Sequence, residues 1–408
     1  VREDRARAER ALEESLEEAF AQRSSRRSFV GRSAGAMLLA GGLGSFLSAC
    51  GITGTATKNV EALQAEAARV NHPKVPIGNW VFANWPLYMD KSVLKDFDKE
   101  YGGKVKYVEE INDNNEFFGK VRQQLTQSRN IGRDIVVLTD PMAAKWVRSG
   151  FVSPYDKKNV PNAKNLVPNL QSIGYDPKRQ FTLPFQSGAV SLGYDIRATG
   201  GEIKSIKELF NPKYKGKTTM LTEPYDSAST VLIMQGKDPA KATLDDMLGA
   251  IEYIADQNAR GQFRRFTGND FTTDLTKGNV AIVLAYSGDM VQLQADNPNL
   301  RFAYAEEGCI TFTDNLMLPA KVAHPYAAET MMNFLYEPEI AAKLCAYINY
   351  ISPVDGIKPI LEKSDPEIAE NELIFPPDDV RKRLKLYPSL STSEEQTMYE
   401  AMAKVTGG

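Results

Sequence analysis

The chain has 408 residues, of which 25% are charged and 42% hydrophobic, and its formal net charge is −3. That balance carries no electrostatic footprint for nucleic acid or for an anionic membrane surface. Two histidines, His72 and His324, and three cysteines, Cys50, Cys309 and Cys345, form no cluster with metal-ligand spacing and no recognisable nucleophile-and-base system. No Gly-rich phosphate loop stands between a strand and a helix. The sequence therefore argues against an enzyme and requires no cofactor.

In chain order, residues 1–24 are rich in Arg and Glu and read as helical. Ser25-Arg26-Arg27-Ser28-Phe29-Val30 precedes an uncharged stretch from Gly35 to Ala49 that ends in Leu47-Ser48-Ala49-Cys50. This stretch is too short and too Gly-rich to span a bilayer as a stable helix. Twin arginine, apolar core, small residues and cysteine, in that order, make an export signal. Leu-Ser-Ala-Cys resembles a bacterial lipobox. The resemblance implies cleavage before Cys50, lipidation of Cys50, and a protein held outside the cytoplasm on a membrane. Residues 50–77 read as a tether, with a short helix around Val60 to Ala68. No later uncharged stretch is long enough to predict a transmembrane helix.

The globular part is predicted from Gly78. Asn79–Ala83 and Lys104–Val108 read as strands, and Asp134–Leu138 is an apolar run of the parallel-sheet kind. Between them, 91–101 and 116–126 place apolar residues on one helical face. The pattern returns with strands at 217–221 and 279–285, and with helices at 243–259, 326–335 and 338–347. Alternating strands and helices predict an α/β fold of two lobes, each with a sheet flanked by helices. Ligands of open α/β sheets bind beyond the carboxyl ends of the strands. Those ends carry Asn84-Trp85-Pro86-Leu87-Tyr88, Thr139-Asp140-Pro141, Glu223-Pro224-Tyr225-Asp226 and Tyr286-Ser287-Gly288-Asp289. A fifth strand-like segment, Ile310 to Asn315, ends in Asp314. The set is aromatic and acidic with no Lys or Arg, as a cage for an organic cation requires.

Asn84-Trp85-Pro86-Leu87-Tyr88 resembles the Asn-Trp-x-x-Tyr of the spermidine/putrescine-binding proteins of ABC importers. Asp134-Ile-Val-Val, Pro184-Phe185-Gln186-Ser187-Gly188, Phe312-Thr313-Asp314 and Asn349-Tyr350-Ile351-Ser352-Pro353 resemble further motifs of that family, in the same order. The resemblance implies a two-lobe periplasmic-binding-protein fold (type II) with a polyamine in the cleft between the lobes, delivered to an ABC permease. It implies that Trp85, Tyr88, Tyr286, Phe312 and Tyr350 pack on the ligand. In the same carry-over, Asp314 holds an amine and Thr139 replaces a small hydroxyl residue.

Asp140, Glu223 and Asp226 complete the expected ligand set, although Glu223 and Asp226 are displaced from the family's acidic pair. Asp226, being off-register, is expected to matter less than Asp314. Pro141 stands where an aromatic may occur, and the family's C-terminal glutamine has no counterpart in Leu386 to Ser393. By the same carry-over, lobe one is 78–188 with 313–358 and lobe two is 189–312 with 359–408.

A monomer is expected. Cys309 and Cys345 are either a disulfide or two buried thiols. The alternatives are another small solute, such as an amino acid or a different organic cation, an exported α/β hydrolase, and a sensor or adhesin that uses the fold without transport.

Overall fold

The computed structural model describes residues 65, 67–111 and 113–407. The twin-arginine segment, Cys50 and most of the Val60–Ala68 helix lie outside the described residues.

The first part of the fold runs β1 (Asn79–Asn84), α1 (Lys91–Tyr101), β2 (Lys104–Glu109), α2 (Asn114–Thr126), β3 (Ile135–Thr139), α3 (Asp140–Ser149) and the short β4 (Val152–Ser153). Asp90 and Asp113 start α1 and α2 by accepting from backbone N–H groups of the first turn. The chain continues through the long β5 (Thr182–Asp195), β6 (Thr218–Leu221), α4 (Pro224–Met234), α5 (Leu244–Ala259), β7 (Phe263–Thr267), β8 (Ile282–Tyr286), α6 (Ser287–Asp296), β9 (Leu300–Ala303) and the long β10 (Cys309–Pro319). It ends with α7 (Pro325–Leu335), α8 (Pro338–Ile348), β11 (Leu384–Lys385) and α9 (Thr392–Thr406). Thr243 with Asp246 and Ser391 with Glu394 form capping boxes that fix the starts of α5 and α9.

The strands form one mixed sheet in the order β2-β1-β3-β10-β5-β8-β6-β7. Each end is a parallel trio: β1 pairs with β2 and β3, and β6 pairs with β7 and β8. The antiparallel strands β5 and β10 join the two halves. Residues 182–190 of β5 pair with β10, and 190–194 pair with β8. β3 is buried on both faces, with Ile135 and Val137 in one apolar cluster and Val136 and Leu138 in another. That explains its unbroken apolar run.

The segment expected as tether is fastened at its last residues. The His72 ring meets the fully buried Glu329 at 2.5 Å, and Asn159 bridges the His72 carbonyl and Glu329. One expectation is corrected, and one open alternative is decided. The strand predicted to end at Asp314 continues to Pro319, so that Asp314 is mid-strand. Cys309 and Cys345 are free buried thiols rather than a disulfide. Cys309 opens β10 opposite Leu384, whereas Cys345 lies on α8 and donates to the Tyr350 carbonyl at 3.3 Å.

Candidate functional site

A cleft of about 690 Å³ opens at the carboxyl ends of β1, β3, β6 and β8. It is of the size that takes a small molecule. Nine of the ten residues proposed from the sequence line it: Trp85, Tyr88, Thr139, Glu223, Asp226, Tyr286, Phe312, Asp314 and Tyr350. No Lys, Arg or His does so among the described residues.

Local chemistry sets each of them. Asn84 staples the loop after β1, accepting from the Trp85 N–H at 2.9 Å and donating to the Tyr88 carbonyl at 3.1 Å. The Trp85 indole N–H donates to the Val137 carbonyl. Leu87 takes the left-handed backbone region (φ 56°), so the chain turns back and buries Tyr88 while Leu87 stays exposed. Asn349, also left-handed (φ 64°), ends α8 and turns the chain into Tyr350.

The aromatic residues form a row. Ring centroids lie 5.5 Å apart for Tyr88 and Tyr350, 6.2 Å for Tyr350 and Phe312, and 5.5 Å for Phe312 and Tyr286, each pair edge-to-face. A carboxylate sits at each end. Asp314 accepts from the Tyr88 hydroxyl and from Thr139 Oγ1, both at 2.8 Å. Asp226 accepts from Tyr286 at 2.9 Å and from Tyr387 at 2.5 Å. Asp289 lies beside Tyr350, and its buried Oδ2 has no partner. Glu223 caps α4 and accepts from the Tyr399 hydroxyl at 2.8 Å.

Burial disfavours the charge on all four acids. It pushes Asp314 and Asp226 up to about 6, Asp289 to about 7, and Glu223, with Asp226 beside it, to about 8. The hydroxyl donors offset part of this at each carboxylate. Among the described residues, no Lys, Arg or His of the cleft wall stands by to neutralise these acids.

Asp140 is not part of the lining, which corrects its assignment. It opens α3 behind β10, where Asp140 Oδ1 accepts from Tyr175 at 2.6 Å and from Asn315 at 2.8 Å, and Oδ2 accepts from the Thr313 N–H. These bonds brace the irregularity between Asp314 and Asn315, where Gln186 pairs with Asp314 and Pro184 with Asn315. Asp140 thus props the strand that aims Asp314. The sequence reading placed Asp289 at a strand end but left it out of the ligand set, and it missed Tyr387 and Tyr399. Asp289 stands three residues after Tyr286 at the start of α6, and helical spacing would have placed it beside the site. Tyr387 follows the two-residue β11, too short to be read as a strand, and Tyr399 lies within α9, where no strand-end rule reaches.

Two glycines admit the rings. A Cβ on Gly288 would fall 2.0 Å from the Tyr350 ring, and one on Gly188 would fall 2.6 Å from Phe312. Gly288→Ala is expected to displace Tyr350, costing about 1–3 kcal/mol of strain and weakening ligand binding. A melting curve and a ligand titration check it. Wild-type values for both would show that the ring is not seated against Gly288.

A sequence profile of bacterial extracellular solute-binding proteins matches residues 92–376. The chain belongs to this family. It is 27% identical over 344 residues to the putrescine-binding periplasmic protein PotF of Escherichia coli (strain K12), covering 80% of this chain and 90% of that one. It is 24% identical over 299 residues to spermidine/putrescine-binding periplasmic protein 1 of Haemophilus influenzae, covering 73% and 81%. Among solved structures, the spermidine/putrescine ABC transporter substrate-binding protein PotD of Streptococcus pneumoniae shares the fold, with a TM-score of 0.69 at 20% identity over 81% of this chain and 99% of that one. As a member of a family of extracellular solute-binding proteins, this chain binds a solute outside the cytoplasm and is not an enzyme. The hydrolase alternative is set aside on that ground. No helix among the described residues is long and apolar enough to cross a membrane.

Proposed function

We propose that the protein captures a linear polyamine such as putrescine or spermidine and presents it to the permease of an ABC importer. The observation that carries this reading is the row Tyr88, Tyr350, Phe312 and Tyr286 with Asp314 at one end and Asp226 at the other. An extended chain of methylenes lies well on ring faces, and ammonium groups at its ends meet carboxylates already oriented by hydroxyl donors. Glu223 beside Asp226 and Asp289 beside Tyr350 add two further carboxyl groups to the cleft. The relatives named for putrescine and spermidine support the same reading. Calorimetry of the protein against putrescine, spermidine and a panel of amino acids tests it. Amino acids binding while the amines do not would replace it with the other-solute reading.

The lobes are proposed as 78–188 with 313–358 and 189–312 with 359–408; β5, which runs through the first of these boundaries, pairs with β10 as far as Val190 and with β8 from Val190 on. Closure of the lobes around the ligand follows the hinge motion such folds use. Lipid attachment at Cys50 is proposed from the twin-arginine and lipobox-like segments. Two acyl chains suffice for stable anchoring where one is marginal. Cys50→Ser is expected to move the protein from the membrane to the soluble fraction or to leave an unprocessed precursor. Unchanged fractionation and processing would sink the anchor.

A further inference from the structure

The C-terminal helix α9 carries a second link across the cleft. α9 packs against α4 and α5 in the second half of the sheet, whereas α3 packs on β3 and β10 in the first half. Both helices reach the cleft, α3 through Pro141 and Met142 and α9 through Tyr399. Away from the lining, Arg148 at the far end of α3 meets Glu395 of α9, with Nη2 to Oε1 at 2.7 Å. Glu395 is 4% exposed and the Arg148 side chain 25%, so the carboxylate is desolvated while its partner keeps some water.

The same carboxylate oxygen accepts from the Tyr225 hydroxyl at 3.0 Å, and Tyr225 lies between the pocket acids Glu223 and Asp226. One helical turn beyond Glu395, Tyr399 donates to Glu223. Arg148 engages by one prong, and its buried Nε has no partner. A forked guanidinium favours two-pronged contact, so this joint has room to tighten or part as the halves shift. Lys145, one turn earlier on α3, holds its ammonium 4.7 Å over the Phe118 ring and feels the charge of Glu395, but the direct ion pair with Glu395 is made by Arg148.

We propose that Arg148 and Glu395 form an inter-lobe latch that holds α9 against the first lobe and so seats Tyr399 and Glu223 in the closed cleft. Arg148 touches no ligand-lining position itself and is a positioning residue. Opening the cleft separates α3 from α9 and must break the pair. The latch rests on the two-lobe, closing reading proposed above.

The test uses the full chain with Arg148→Ala, Glu395→Gln and the exchanged pair Arg148→Glu with Glu395→Arg. Small-angle scattering without ligand is expected to show a larger radius of gyration for each single variant. The spermidine dissociation rate is expected to rise about tenfold while the association rate changes little, as most affinity differences fall in dissociation. The exchanged pair is expected to restore the compact particle and the slow release. Two results overturn the latch: unchanged ligand-free scattering in the single variants, or release that quickens without any rescue by the exchanged pair. If the wild-type protein binds no amine, the function proposed above fails, and ligand-free scattering still decides the latch. If a single variant does not fold, the exchanged pair and the other single variant give the same readouts.

Discussion

Asp314→Asn is expected to weaken polyamine binding by roughly 30-fold to several thousand-fold while leaving the ligand-free fold intact. A protonated amine entering the cleft loses its water and needs a carboxylate in place of that shell. Removing one partner of a buried charge pair costs about 2–5 kcal/mol, which sets the range in affinity. Asparagine keeps the shape and can still accept from Thr139 or Tyr88, the two hydroxyls that now bond Asp314. Burial holds the wild-type carboxyl up at about 6, so its charge costs folding stability near neutral pH, and the neutral side chain should melt no lower.

Asp226 was expected to matter less because it is displaced in sequence. The structure corrects this: Asp226 is 2% exposed and takes hydroxyls from Tyr286 and Tyr387, as Asp314 takes them from Tyr88 and Thr139. Asp226→Asn is therefore expected to weaken binding by a comparable factor. Titration of both variants with spermidine, beside their ligand-free melting temperatures, checks the pair. Wild-type affinity in Asp314→Asn would remove the main support for a cationic ligand.

Most elements were legible because their burial is periodic. α1 shows Val93, Leu94 and Phe97 on one face, and β3 shows an unbroken apolar run because both its faces are covered. The site was legible to the extent that it hangs on strand ends. Trp85, Tyr88, Glu223 and Asp226 follow a strand directly or by a few residues, and Thr139 and Tyr286 are the last residues of theirs. Neighbouring residues at a strand end point different ways, and this is where the reading failed. Thr139 still faces the cleft, while Asp140 has begun a helix and turns back to brace β10. Tyr387 and Tyr399 reach Asp226 and Glu223 from more than a hundred residues away along the chain, so only packing brings them in. The sequence left the cysteines open between a disulfide and two thiols, because only packing shows that Cys309 sits opposite β11 and Cys345 under the Tyr350 turn.

Ligand-free stability and polyamine affinity are expected to run in opposite directions with pH. The four pocket acids have folded values of about 6, 6, 7 and 8, above the roughly 4 of an unfolded carboxyl. Between about pH 4 and pH 8 the folded state therefore binds more protons than the unfolded state, and its stability falls as pH rises through that window. His72 acts with the same sign: its pairing with Glu329 raises its pKa, so its contribution is complete at low pH and is lost as pH rises.

Binding goes the other way. Alkylamines stay protonated throughout this range, as lysine does, so the ligand's charge is constant and only the carboxylates change. Each acid near 6 that must ionise loses roughly tenfold per pH unit below that value, so two of them predict about 100-fold weaker binding at pH 5 than at pH 8. Calorimetry at several pH values, paired with melting curves of the ligand-free protein, measures both trends. Asp314→Asn should remove about one of the two tenfold steps along with its share of the stability slope. Affinity that stays flat from pH 5 to pH 8 would mean that the ligand is not held by these carboxylates.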